Sequence, residues 1–367
     1  MSTNQNKTNN HSYFMRLALM QAKKNLGNTK DNPSVGCVVV NNNNVISSGC
    51  TSINGRPHAE FNALNFIKKK LSNSNLYVTL EPCSNLGKTP PCVNLIKNKK
   101  IKNVYFSVFD PDKKSFNKSQ NTLKKAGIKV KVGLYSNEIR SFYRSYFKYK
   151  GTSLPFVTCK IAVSKDYFMS DKNKKWLTNE YSRQRVHMMR SNHDCLLTSS
   201  GTIISDNPRL NCRIAGLEKR SPARAILDNF LSIPIRSKVF RDAYRIRTIV
   251  FYNKLNKKKI KLMKNLNVEA YKIDVDPDGN LHLKKILYKL KNLGFSRIFL
   301  ESGFKLTSNF LKLNLVNDLN LFISSKNLGV NGHGNIKNYF RTFLSNKIKI
   351  NEKVNLFGDK LITYKLN

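Results

Sequence analysis

His58-Ala59-Glu60, followed by Glu81-Pro82-Cys83-Ser84-Asn85-Leu86-Gly87-Lys88-Thr89-Pro90-Pro91-Cys92, is the part of the chain whose reading decides the fold. One segment offers an imidazole with a carboxylate two residues on, and the other offers two thiols. A neutral histidine and two thiolates are borderline and soft ligands that suit zinc. Three protein ligands leave the fourth tetrahedral position to water, whereas a structural site would close with a fourth side chain. Glu60 is then free to carry protons and is the candidate catalytic residue; His58, Cys83 and Cys92 are the candidate metal ligands. The bland reading makes His58 a helix cap and the cysteines buried apolar residues, but it leaves the joint spacing and the proline before Cys83 unexplained.

The rest of the chain frames that motif. Its 367 residues are enough for two domains, and 40% hydrophobic with 10% aromatic content is globular. The formal charge of +43 would ordinarily suggest nucleic acid. Lysine and asparagine are instead spread along the whole chain, so the charge reads as compositional drift that would also attract a metabolite phosphate. Seven cysteines without a tight framework argue against a secreted disulfide scaffold and for the reducing cytoplasm. No signal-peptide core or membrane span is expected, hence no membrane partner.

Periodicity predicts a helix over 12–26, a hairpin of strands 34–40 and 45–50, a helix from His58 with Phe61, Leu64, Ile67 and Leu71 on one face, and a strand over 76–80. A short helix after Pro91, strands 104–108 and 128–132, and a helix over 115–126 complete a first α/β unit. Residues 150–155 read as a linker, placing the boundary at 149/150. Strands are expected beyond it at 156–163, 194–198, 224–227, 248–252, 268–273, 297–300 and 319–323, with helices clearest at 178–190 and 284–293, so the second half is also α/β. Gly303 follows a strand and could let N–H groups at a helix start approach a phosphate. Arg190 and Arg213 could make forked bonds to one.

The long loop between the cysteines, together with Asn32-Pro33-Ser34-Val35-Gly36-Cys37 and Arg56-Pro57-His58-Ala59-Glu60, resembles the deaminase domain of the bifunctional riboflavin-biosynthesis deaminase/reductase family. The second half continues the resemblance in Lys160 to Asp166, Trp176-Leu177-Thr178, Leu197 to Thr202, Asp206 to Leu210 and Leu300 to Gly303. The resemblance implies a cytidine-deaminase-like three-layer fold followed by a dihydrofolate-reductase-like α/β domain. It implies one zinc per chain, NADPH, and a phosphorylated pyrimidine substrate that is first deaminated and then reduced at its ribosyl chain. By position, Ala162, Trp176, Thr202, Asp206, Asn229 and Gly303 would line NADPH. Arg190, Leu210, Arg213 and Glu301 would hold the reductase substrate, and Asn32 and Lys88 the deaminase substrate.

Departures from the family pattern are also visible. Thr51 and Asn85 stand where relatives usually have histidine, and are expected to hydrogen-bond substrate. Tyr167 stands where they usually have glycine, before a loop about two residues short. A tRNA-type deaminase, or a protein with one domain still catalytic, are the alternatives; a homo-oligomer is left open.

Overall fold

The computed structural model describes residues 2–87, 89–112, 116–174 and 176–366, with side chains from Asn10 onward. The chain divides into two compact units, residues 1–153 and 154–367.

The first unit contains α1 (Ser2–Lys23), β1 (Gly36–Asn41), β2 (Asn44–Cys50), α2 (Ala59–Leu64), β3 (Ser74–Leu80), α3 (Cys92–Asn98), β4 (Asn103–Val108), α4 (Lys118–Lys125), β5 (Lys129–Val132) and α5 (Ser136–Gly151). Its sheet runs β2-β1-β3-β4-β5, with β1 antiparallel to both neighbours and β3, β4 and β5 parallel. Cys37 and Val38 to Val40 are all buried, as expected of a strand covered on both faces. Glycine at 49 lets α2 lie directly on β2: a Cβ there would collide with the carbonyl of Ala59.

One expectation fails here. The helix from His58 was expected to reach Leu71 but ends at Leu64. Leu71 is nevertheless buried, because its N–H bonds to the Lys99 carbonyl and the chain turns into β3. Burial through an irregular turn thus mimicked helical spacing. The units divide between Ser153 and Leu154, within residues 150–155, and α5 continues to Gly151 with its Tyr143 and Tyr146 packed into the core of this unit.

The second unit contains β6 (Phe156–Val163), β7 (Phe168–Asp171), α6 (Glu180–Ser191), β8 (Cys195–Ser199), α7 (Ser200–Asp206), β9 (Ala223–Leu227), α8 (Lys238–Arg241), β10 (Thr248–Tyr252), α9 (Lys257–Asn265), β11 (Val268–Lys272), α10 (Leu283–Asn292), β12 (Arg297–Glu301), α11 (Phe304–Lys312), β13 (Asp318–Ile323), β14 (Gly332–Asn335), α12 (Lys337–Phe343), β15 (Ile348–Asn351) and β16 (Lys360–Lys365). Nine strands form one sheet in the order β11-β10-β9-β8-β12-β6-β13-β16-β15, parallel from β11 to β13 and antiparallel at the β16 and β15 edge. Successive residues feed opposite cores: Ile249 and Phe251 one, Val250 and Tyr252 the other. Strands β7, β14, β15 and β16 were not expected; Lys349 in β15 and Lys360 and Lys365 in β16 break up their apolar content, and β14 has no apolar side chain. Among the described residues no helix is long and apolar enough to cross a membrane.

Strand β7 pairs with β14 as a separate two-stranded ribbon. The turn entering it places Tyr167 at φ +68°, the conformation that glycine would adopt freely. Its ring packs against the core, which offsets part of a strain of about 1 kcal/mol. Asp166 secures the turn by accepting from the Ser164 hydroxyl and from the N–H groups of Leu328 and Gly329. Slight burial pushes its carboxyl up, but these bonds outweigh it and hold the group at about 2. A depressed folded value means that the contribution to stability is present above the unfolded value near 4 and is lost as pH falls toward 2. Amide shifts of Leu328 and Gly329 should therefore titrate with a midpoint near 2; a midpoint near 4 would show that the carboxylate does not hold this turn.

Candidate active sites

In the first unit, three chain segments meet at the mouth of the sheet. His58 is the N-cap of α2, in extended conformation, and Glu60 sits in that helix's first turn. Cys83 lies just past the end of β3, and Cys92 is the first residue of α3. The ligand atoms of His58, Cys83 and Cys92 all lie within 4.8 Å of one another. Nδ1 of His58 is 3.4 Å from the Cys83 sulfur and 3.5 Å from that of Cys92. The Cys92 N–H, one of the free donors at the start of α3, reaches the Cys83 sulfur at 3.3 Å. A hydrogen bond from the Cys92 thiol pulls the Cys83 thiol down to about 4, so this sulfur is held as the thiolate a cation requires. One imidazole and two sulfurs at this separation fit a tetrahedral zinc ion with one position left over.

Glu60 is 3% exposed. Burial, and then the charge on Cys83, raise its carboxyl well above the usual range, while His58 acts the other way. It is a carboxyl placed to take and return a proton. These groups open on a cleft of about 290 Å³ that Asn32, Thr51 and Asn85 also line. Lys88 lies outside the described residues. Thr51 is only 1% exposed, and its hydroxyl oxygen accepts from the Val35 N–H at 2.9 Å. Its expected contact with substrate is thus left to the hydroxyl proton and the second lone pair.

Sequence reasoning missed Glu81. Its carboxylate accepts from the N–H groups of Asp110, Asn117 and Ser119 and from the Ser119 hydroxyl. That ties the segment bearing Cys83 to the 110–119 loop, whose Asp110 and Asp112 reach the same cleft. The signal was present as a buried-type carboxylate beside Cys83, with nothing in the sequence to indicate its partners.

In the second unit a cleft of about 610 Å³ opens at the carboxyl ends of β6, β8 and β12, the usual position for a ligand on a parallel sheet. Ala162, Trp176, Thr202, Asp206 and Gly303 all line it. Gly303 is the N-cap of α11. Trp176 is 58% exposed, with the Arg183 guanidinium 5.4 Å from its ring centre.

Arg190, Arg213 and Glu301 line the same cleft, and all three have partners within the protein, Arg213 donating through Nη1 to the Asn211 side-chain oxygen at 3.0 Å. Nε and Nη2 of Arg190 grip both oxygens of Glu301 at 2.9 Å, and its Nη1 donates to the Asn211 carbonyl at 3.0 Å. Although burial pushes the Glu301 carboxyl up, Arg190 and then Lys160 hold it below the usual range. Lys160, on β6 and partly buried, also lines this cleft, where motif spacing alone gives it no role. His187 was also missed; burial first, then Arg190 and Arg213, lower it to about 4, so it is neutral near pH 7.

Two expected residues do not line this cleft. Leu210, at φ +52°, turns its side chain into the core and is 3% exposed. Asn229 lies past the end of β9 and donates through Nδ2 to the Gly279 carbonyl at 3.1 Å.

A zinc-type deaminase site in one α/β unit, and in the other a cofactor-sized cleft at a parallel strand end, define a two-domain deaminase and reductase. Residues 8–108 match the cytidine and deoxycytidylate deaminase zinc-binding region, and residues 155–350 match the RibD C-terminal domain. The riboflavin biosynthesis protein RibD of Aquifex aeolicus is 36% identical over 319 residues, 86% of this chain and 87% of the relative. That of Bacillus amyloliquefaciens is 32% identical over 85% and 84%. Among solved structures, Acinetobacter baumannii RibD aligns with a TM-score of 0.84 at 26% identity, covering 98% of this chain and 100% of its own. The diaminohydroxyphosphoribosylaminopyrimidine deaminase/5-amino-6-(5-phosphoribosylamino)uracil reductase of Thermotoga maritima aligns at 0.82 and 28%, over 98% and 100%. The chain belongs to the RibD family of riboflavin biosynthesis proteins. It is a bifunctional enzyme with a zinc-dependent deaminase domain and an NADPH-dependent reductase domain, and nothing in these likenesses favours a tRNA-type deaminase.

Proposed function

We propose that the first unit deaminates 2,5-diamino-6-(5-phosphoribosylamino)pyrimidin-4(3H)-one by hydrolysis and that the second reduces the ribosyl chain of the product to ribityl, both in the cytoplasm. What carries the reading is the triad of His58, Cys83 and Cys92 within 4.8 Å beside the buried Glu60, in one chain with the reductase cleft. These three residues would hold zinc, which when bound polarises water and lowers its pKa. Glu60 takes the proton from the attacking water and passes it toward the ring nitrogen and the departing ammonia. Asn32, Thr51 and Asn85 orient the pyrimidine, and Lys88 receives its phosphate.

In the reductase, Ala162, Trp176, Thr202, Asp206 and Gly303 would hold NADPH, which supplies a hydride when bound. Asn229 would meet only its far end. Arg213 draws the substrate phosphate, Leu210 offers its backbone, and Arg190 fixes Glu301, whose charge attracts Lys160, beside the sugar. A phosphorylated pyrimidine, and neither nucleic acid nor membrane, is the partner on this reading. The test is incubation with the diaminopyrimidinone phosphate followed by mass analysis. A deaminated product without NADPH, and a ribityl product only with it, are expected; no ammonia release from zinc-loaded protein would overturn the deaminase assignment.

The two residues at usual histidine positions are expected to behave differently. Asn85→His should raise deaminase kcat/KM by about two- to tenfold, the value of one improved hydrogen bond. Thr51→His should fail to add to it, because a ring would have to displace the bond to Val35 at a site 1% exposed. An Asn85→His enzyme no better than the parent in steady-state kinetics would remove residue 85 from the substrate contacts.

A further inference from the structure

On the other side of Asn211, which accepts from Arg190 and Arg213 of the reductase cleft, the second unit carries another concavity of about 780 Å³, between the 209–221 segment and the 238–246 segment. No residue lining it lines the cofactor cleft. Its wall carries Arg209, Lys219, Lys238, Arg241 and Arg245, and none of these five forms an ion pair among the described residues. Two carboxylates share the wall. Asp242 is already neutralised by the fully buried Arg224, Nη1 to Oδ1 at 2.5 Å, which leaves Glu218 alone against five cations.

The wall is built rather than loose. Arg224 also donates to the carbonyls of Arg209 and Ile246, so one guanidinium inside the protein pins both sides of the cleft. The Ser221 hydroxyl accepts from the Cys212 N–H and donates to the Glu218 carbonyl, fixing the turn that bears Lys219. Holding five like charges around a fixed concavity costs repulsion that a bound anion would relieve. At the rim Tyr244 is 70% exposed, a flat apolar face beside the cations. The volume is that of a small-molecule site.

The geometry points to a second, non-catalytic binding site in the reductase unit for a phosphorylated small molecule carrying a flat ring, with its phosphate among Arg209, Lys238, Arg241 and Arg245 and its ring on Tyr244. This reading is independent of the roles given to the two catalytic clefts.

Riboflavin 5′-phosphate is a suitable probe, since it has both features and its own fluorescence, which stacking on tyrosine quenches. The full-length protein should bind and quench it, and unphosphorylated riboflavin should bind about tenfold more weakly or worse. Arg241→Glu with Arg245→Glu should weaken the phosphate ester by about tenfold or more while leaving the KM for NADPH unchanged. Tyr244→Ala should remove most of the quenching but leave affinity for inorganic pyrophosphate as it was. If the charge reversal perturbs folding, as seen by circular dichroism, the Arg241→Gln and Arg245→Gln pair serves in its place. Equal binding by the parent and the charge variants would place the ligand elsewhere and overturn the site. Quenching that survives Tyr244→Ala would overturn the ring's position. A short single-stranded RNA that binds more tightly than the flavin phosphate, and is lost in the same variants, would overturn the ligand class.

Discussion

Glu60→Gln should keep one zinc per chain and lose deamination by about 10²–10⁴-fold, the usual contribution of a positioned proton carrier. The substitution keeps the shape of a side chain that is 3% exposed and changes only its capacity to carry a proton. The donor atoms of His58, Cys83 and Cys92 form a group without Glu60, so metal content should not follow activity. Ammonia release and metal analysis on the same preparation decide the matter. Zinc lost together with activity would put Glu60 among the ligands and leave the proton carrier unidentified. The reductase reaction, assayed with the deaminated substrate, should be unchanged.

Arg190→Met is expected to have the largest effect on the other half. It leaves Glu301, whose side chain is 18% exposed, without its two-pronged partner. Breaking a buried pair from one side typically costs 3–5 kcal/mol. Lys160 remains as a second counter-charge, so a loss of about 3 kcal/mol is expected in urea unfolding of the reductase unit. Removing both partners, Arg190→Met with Glu301→Leu, should recover part of that stability without recovering reduction, since an apolar pair leaves no buried charge behind. A single variant within about 1 kcal/mol of the parent would show that water screens the pair as it does a surface ion pair.

The zinc-type site was legible in the sequence because its chemistry is carried by residue types at short separations: a helix cap, a strand end and a helix start brought together by two turns. The reductase cleft was legible mainly through resemblance, since its residues come from strand ends more than a hundred positions apart, as Lys160 and Glu301 illustrate. Nothing local in the sequence announces that Arg190 and Glu301 would use each other. The burial of the Leu210 side chain was hidden for a related reason, as its positive φ leaves no mark in the hydrophobic pattern. In β15, at the sheet edge, Lys349 and Asn351 alternate with the isoleucines, and in β16 lysine stands at both ends of a short run, so both dilute the apolar signal. Glu81 shows the limit most clearly, because its three partner residues lie 29 to 38 positions away.

Trp176 is the chain's single tryptophan, and it stands half in solvent on the wall of the reductase cleft with a guanidinium over its ring. Its emission therefore comes from one place in the molecule. A reduced nicotinamide arriving there would absorb that light, so an unlabelled, unmutated sample carries its own optical gauge of cofactor arrival. The deaminase unit, with tyrosines but no indole, is silent at the same wavelength. Filling of the reductase cleft can thus be followed in real time during a full turnover while ammonia is counted separately, with neither signal contaminating the other.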